Sequence, residues 1–257
     1  MRFFLYLSYK GTAYHGWQIQ KNAPSVQETL QRALSLLLKE PVEVVGAGRT
    51  DTGVHASFYV AHFDTDNPAP SEDAEAFCYR LNCVLPHDIA VRRTVRVTDT
   101  AHARFDAALR EYRYYLLQEK DPFRQETTWQ YSVPLDVERM NEAAALLKEY
   151  ADFTSFSKLH TDVKTHICRI RESFWSRQGT ELVYTVSADR FLRNMVRAIV
   201  GTLVEVGRGK IGVSRFREII EARSRGMAGT SAPAGGLFLT RVDYPQEIFM
   251  NGIIEKS

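Results

Sequence analysis

Apolar residues run almost unbroken from Phe3 to Tyr9 ahead of Gly11, the pattern of a buried first strand. The period then changes. Val26, Leu30, Ala33 and Leu37 recur at helical spacing behind Ser25, a residue type that caps helices, and Pro41 stops the run. Two strand-like stretches follow at residues 42–45 and 57–63, split by the glycine-rich residues 46–53. Ser71 is placed to cap a second helix carrying Ala74, Phe77, Leu81 and Val84, and residues 89–97 read as a fourth strand. The first half therefore reads βαββαβ.

The second half repeats that order without obvious identity of sequence. Residues 108–118 are strand-like, and residues 136–150 make an amphipathic helix with Met140, Ala144 and Leu147. Strands at 167–176 and 181–187 pair across the Gln178-Gly179 turn and precede a helical stretch at 191–206. A helix at 213–222 and a strand at 237–242 complete the pattern. The expected fold class is α+β: two pseudo-symmetric ferredoxin-like (βαββαβ) units whose antiparallel sheets meet at a central catalytic cleft, one over residues 1–105 and one over 106–257.

Composition narrows the setting more than the function. With 257 residues, 44% of them hydrophobic, the chain can bury a sizeable core. A charged fraction of 25% and a net charge of +2 do not announce a nucleic-acid partner, so any RNA binding must come from local patches. Cys78, Cys83 and Cys168 form no C-x-x-C pair, which argues against a disulfide framework and a zinc site and fits a reducing compartment. The apolar run after Met1-Arg2 is too short for a signal peptide or a membrane span, so the expected location is cytoplasmic.

Residues 46–56, Gly-Ala-Gly-Arg-Thr-Asp-Thr-Gly-Val-His-Ala, are longer and more polar than a hairpin needs. Three glycines let the backbone take positive φ values and approach a ligand closely. Arg49, two residues before Asp51, would hold that carboxylate ionised, and an ionised carboxylate in a cleft serves as a nucleophile or stabilises an electron-poor sugar carbon. The plainer alternative is an Asx turn in which Asp51 caps neighbouring N–H groups and His55 is an ordinary polar strand residue. The glycines match neither G-x-G-x-x-G nor a P-loop.

Arg190, Arg193 and Arg197 fall at i, i+3 and i+7, so a helix there would carry a basic ridge opposite Leu192, Val196, Ile199, Val200 and Leu203. A solvated charged face is the usual explanation of such a ridge. Tyr112, Tyr114 and Leu116 share one strand face, which reads as core packing from pattern alone. Arg92, Arg93 and Arg96 are either a contact for RNA backbone or a protected strand edge. His55, Lys158, His160 and His166 read as exposed loop or strand residues and receive no role.

The run from Gly48 to Ala56 resembles the signature of the tRNA pseudouridine synthase A family. Other segments resemble it in the same order: Tyr9-Lys10-Gly11-Thr12 with Gly16-Trp17-Gln18, His102-Ala103-Arg104-Phe105, Arg110-Glu111-Tyr112-Arg113-Tyr114-Tyr115 and Asp152-Phe153-Thr154-Ser155-Phe156. Phe191-Leu192-Arg193-Asn194-Met195-Val196-Arg197 and Ala232-Pro233-Ala234-Gly235-Gly236-Leu237 extend the likeness to nearly the whole chain.

The resemblance implies an enzyme that isomerises uridines 38, 39 and 40 of the tRNA anticodon arm without metal or other cofactor, working as a homodimer on tRNA. It implies Asp51 as the catalytic aspartate, Tyr112 as the active-site tyrosine and Arg197 as the arginine that pairs with the aspartate. It places Arg49 at the RNA, where it helps displace bases, and the basic ridge leaves Arg193 for phosphate. The stretches 67–72, 119–128 and 159–165 vary within the family and leave tRNA selection open. Two other readings stay in play: a non-catalytic RNA-binding protein with tandem ferredoxin-like sheets, which would be expected to show an RNP pattern that is absent here, and a carboxylate glycosidase, which would need a second acid beside Asp51.

Overall fold

The computed structural model describes residues 1–158 and 165–250, and the chain is a mixed α/β protein. The first part carries β1 (Arg2–Tyr9), α1 (Val26–Leu38), β2 (Val44–Gly46), β3 (His55–Asp64), α2 (Ala69–Glu72), α3 (Ala74–Val84) and β4 (Ile89–Val97). The rest carries β5 (Leu109–Leu117), β6 (Trp129–Gln130), α4 (Val137–Leu146), β7 (Ile170–Gln178), β8 (Glu181–Ala188), α5 (Met195–Gly207), α6 (Val213–Glu221) and β9 (Leu237–Asp243). Two compact units result: Met1–Leu109 with the segment that begins at Leu239, and Arg110–Phe238. The boundary between the two units falls within β9, whose first two residues, Leu237 and Phe238, close the second unit.

In the first unit β1 pairs antiparallel with β3 and β4, while β2 and β9 both pair with β3. Phe3, Phe63 and Phe77 stack in sequence and seat α3 on one face of the strands. Phe4 looks the other way and is covered by Tyr244 and Phe249, ring centroids 4.8 and 6.2 Å away. Both faces of β1 are therefore buried, which is why its sequence shows a continuous apolar run instead of alternation. Ser25 caps α1 by accepting the Glu28 N–H, and the helix ends at Lys39 in the left-handed region. Ser71 does not cap α3. It lies inside the single turn α2, which Pro68 and Pro70 start, and Asp73 caps α3 through the Ala76 N–H.

His62 sits on β3, 5% exposed, with Nδ1 accepting the Ala103 N–H at 3.0 Å and its ring 4.8 Å from that of His102. Burial, and then the charges of Arg2 and His102, push its pKa from 6.5 down to about 4 against the opposing pull of Asp64 and Asp106. The folded protein therefore binds fewer protons here than the unfolded chain. The associated stability is fully present above pH 6.5 and is lost as pH falls towards 4. Urea unfolding is expected to show a loss of about 2 kcal/mol from this group between pH 7.5 and pH 5. His62→Gln should flatten that slope, and an unchanged slope would contradict the assignment.

In the second unit β8 lies between β5 and β7, antiparallel to both, and the β7–β8 turn places Gly179 at φ 60°. The expected all-antiparallel sheet needs one correction. The two-residue strand β6 runs parallel to β5, Leu116 beside Trp129 and Leu117 beside Gln130, which makes the strand set mixed. Tyr114, Tyr184 and Trp175 meet across neighbouring strands and, with Met140, Ala144, Ile199 and Leu203, build the core under α4 and α5. Among the described residues no helix is long and apolar enough to cross a membrane.

Candidate active site

Residues 47–54 connect β2 and β3, and their backbone is gripped from several sides within the first unit. The Val54 N–H donates to the Asp51 carbonyl at 3.1 Å, and Gly53 at φ 77° is the third residue of that turn, a position that favours glycine. The Trp17 N–H donates to the Thr50 carbonyl and the Gly53 N–H to the Tyr14 carbonyl, both at 3.3 Å, so the 14–17 segment holds the chain on either side of Asp51. Tyr9 and Thr50 join hydroxyls at 2.9 Å, and the Tyr59 hydroxyl donates to the Gly48 carbonyl. Beneath them Trp17 stacks on Tyr59 with ring centroids 4.2 Å apart.

Two glycines make that grip possible. A Cβ on Gly11 would stand 2.0 Å from the Val54 carbonyl oxygen, and one on Gly16, at φ 91°, 2.3 Å from that of Thr50. His55 completes the clamp. It is fully buried, not exposed as its polarity suggests, and its Nδ1 accepts the Gly11 N–H at 2.9 Å, which fixes the proton on Nε2. Asp51 is half-buried, and Arg49 is exposed on the same connection.

In the second unit Tyr112 lies on β5 opposite Val186, 9% exposed, with its ring edge-on to Phe191 at 5.1 Å. Tyr114, two residues on, is core: its hydroxyl donates to the Pro233 carbonyl at 2.9 Å, and its ring leaves no room for a side chain at Gly236. Burial raises the Tyr114 pKa well above the usual phenol range. Leu116 is buried on the same face.

The expected helical ridge does not form. Asn194 adopts the left-handed conformation at φ 64° and α5 begins only at Met195, so Arg190 and Arg193 precede the helix instead of lying along it. Arg193 is exposed in that turn, its carbonyl accepting the Lys158 N–H at 3.1 Å. Arg197 is on the helix and half-buried. Its Nε donates to the Ala232 carbonyl at 2.7 Å, and the Ala232 N–H donates back to the Arg197 carbonyl at 2.9 Å. Asn194 adds a side-chain hydrogen bond to Ser231 at 2.7 Å, so the 231–232 segment ties down both the start of α5 and its arginine.

Gly201 lets that segment approach. A Cβ there would stand 1.8 Å from the Thr230 carbonyl oxygen. Gly201→Ala is expected to cost about 2–3 kcal/mol, lowering the melting temperature by about 5–10 °C, because the obstructing atom is backbone. A thermal melt unchanged within about 1 °C would contradict this close approach.

Arg49 and Asp51 thus share one connection of the first unit, while Tyr112, Arg193 and Arg197 belong to the second. His166 offers its carbonyl to the Phe153 N–H, and His160 lies outside the described residues. Arg93 lies over the Tyr6 ring at 4.1 Å and Arg96 pairs with Asp99 at 2.9 Å, so two of that trio are committed within the unit. The supporting set Tyr9, Tyr14, Trp17 and Tyr59 carries no periodic signal of its support for residues 47–54, although the Tyr9-to-Gln18 segments that hold most of it stand out as motifs.

Comparison with known proteins gives a consistent result. The profile of the tRNA pseudouridine synthase family matches residues 143–245. The chain is 56% identical to tRNA pseudouridine synthase A of Bacteroides fragilis over 249 residues, 96% of this chain and 98% of that protein. It is 57% identical to the protein of that name from Bacteroides thetaiotaomicron, over 96% of this chain and 92% of the relative. The corresponding figures for the Bacillus subtilis protein are 41% identity, 95% and 99%.

Proposed function

Because the chain belongs to the tRNA pseudouridine synthase A family and is an isomerase of that class, we propose that it converts uridines 38, 39 and 40 of the tRNA anticodon arm to pseudouridine, with Asp51 as nucleophile. The observation that carries this reading is the clamp on Asp51. Its neighbours Thr50 and Gly53 are held through their backbone by Trp17 and Tyr14, so a half-buried carboxylate is presented on a connection with little freedom to relax. Fixing a reactive group before substrate arrives removes an entropic cost from the reaction step.

The reaction is an isomerisation without net redox change. The bond from N1 to C1′ breaks, the base turns, C5 bonds to C1′, the C5 proton leaves and N1 gains a proton. The Asp51 carboxylate serves the sugar carbon that becomes electron-poor when the base departs. Tyr112 offers a ring for stacking on an extruded base and a hydroxyl for proton transfer. Arg197, with Nε spent on Ala232, supplies a fixed positive charge to the reaction, and the exposed Arg49 and Arg193 bind RNA.

The same reading takes the chain as two related ferredoxin-like units and the active species as a homodimer on tRNA. The chain order β1-α1-β2-β3-α3-β4 recurs as β5-α4-β7-β8-α5-β9, and the neighbours β1-β3-β2 correspond to β5-β8-β7, which supports the first part. Sedimentation of the protein alone tests the second, a fully active monomer being the contrary result. Because the C5 proton must leave, tRNA transcribed with tritium at uridine C5 should release label to water. Replacing uridines 38, 39 and 40 by cytidine should abolish that release, and undiminished release would overturn the site assignment.

A further inference from the structure

Residues 102–106 of the first unit form a short loop that is fixed far more firmly than a connection requires. The His102 N–H donates to the Asp106 carboxylate at 2.8 Å, and the Asp106 N–H returns to the His102 carbonyl at 3.0 Å. His102 Nδ1 accepts the N–H groups of Arg104 and Phe105 at 3.1 and 3.3 Å. Ala103 is fully buried, with its N–H on His62 Nδ1 and its carbonyl receiving the Tyr244 hydroxyl at 2.6 Å. Yet this loop holds Phe105 outward with 74% of the residue exposed.

An exposed phenylalanine on a rigid loop contributes nothing to the core, and its setting indicates what would cover it. The ring lies 4.2 Å from the His102 imidazole, and the Arg104 guanidinium is 5.6 Å from its centroid. Planar aromatic and cationic groups together favour a flat π system over an aliphatic protein surface. The nearby carboxylates are engaged within the unit: Asp64 with Arg2 at 2.7 Å, Asp99 with Arg96 at 2.9 Å and Asp106 with the loop itself. Local negative charge is thereby offset, which suits an anionic partner.

We infer that Phe105, backed by His102 and flanked by Arg104, is a stacking platform for an unpaired nucleobase of the tRNA substrate, distinct from the uridine that reacts at Asp51. The inference rests on the assignment of tRNA as substrate and adds a contact that positions it. Because the loop is already ordered, stacking costs little conformational entropy.

The test is binding of an unmodified tRNA transcript, measured apart from catalysis. Phe105→Ala and Phe105→Leu should each weaken binding about five- to hundredfold, and Phe105→Tyr should stay within about twofold of the native protein. The leucine variant keeps apolar surface but loses the planar face, so it separates stacking from simple burial. In Phe105→Trp the added indole emission should be quenched on titration with tRNA. Native affinity in Phe105→Ala, native affinity in Phe105→Leu, absence of quenching, or loss of self-association in place of loss of tRNA binding would each overturn the platform. Native protein that binds tRNA with the expected Phe105 dependence but converts no uridine would instead refute the proposed reaction and leave the platform standing.

Discussion

Asp51→Asn is expected to lower the rate of pseudouridine formation by about four orders of magnitude or more, the scale on which an enzyme loses activity when its nucleophile is removed. The substitution is nearly isosteric, and the turn that carries it closes through backbone, the Val54 N–H on the Asp51 carbonyl, which asparagine retains. Fold and tRNA affinity should therefore survive. Single-turnover tritium release together with tRNA titration separates the two effects. A variant with unchanged affinity and unmeasurable chemistry fits a nucleophile, whereas a variant that fails to bind tRNA would place Asp51 among the substrate contacts.

Gly11→Ala carries the second large effect, and it acts without touching the carboxylate. The added methyl would sit 2.0 Å from the Val54 carbonyl oxygen and 2.7 Å from its carbon, both backbone atoms of the connection that bears Asp51. Either the β1 end or the turn must move, and the Gly11 N–H bond to His55 moves with it. A displacement near 1 Å is enough to reduce kcat about a hundredfold, with a stability loss of about 2 kcal/mol. Thr52→Ala is the natural control, since Thr52 is exposed on the same turn and should stay close to native activity. Native kcat in Gly11→Ala would mean that the clamp does not position the carboxylate.

Much of the fold could be read from periodicity, because most elements are long and amphipathic or bounded by turn residues. The departures have local causes. The arginines at 190, 193 and 197 keep helical spacing, but spacing is blind to the left-handed Asn194 that stops the helix from extending upstream. The parallel strand β6 is two residues long and has no period to detect. Ser71 and Asp73 are both good caps two residues apart, and the prolines at 68 and 70 decide between them by starting a separate turn.

A close-approach loop was legible in the sequence, but what holds it was not. Glycines around an Arg-Thr-Asp run mark a close-approach loop in any sequence, whereas Tyr9 meets Thr50 and Gly11 meets His55 across 41 and 44 residues of chain. No local window contains those pairs. His55 shows the limit plainly: a polar residue in a polar segment reads as exposed, and only the buried N–H of Gly11 explains why a histidine belongs there. Phe105 is the converse case, an aromatic residue that the hydrogen bonds of its loop hold outside the core.

The most direct test of the central claim is a carbodiimide primer-extension map of an unmodified tRNA transcript incubated with the native protein and, in parallel, with Asp51→Asn. Stops are expected at uridines 38, 39 and 40 with the native protein alone. Stops of equal strength with Asp51→Asn would contradict the assignment of Asp51 as nucleophile.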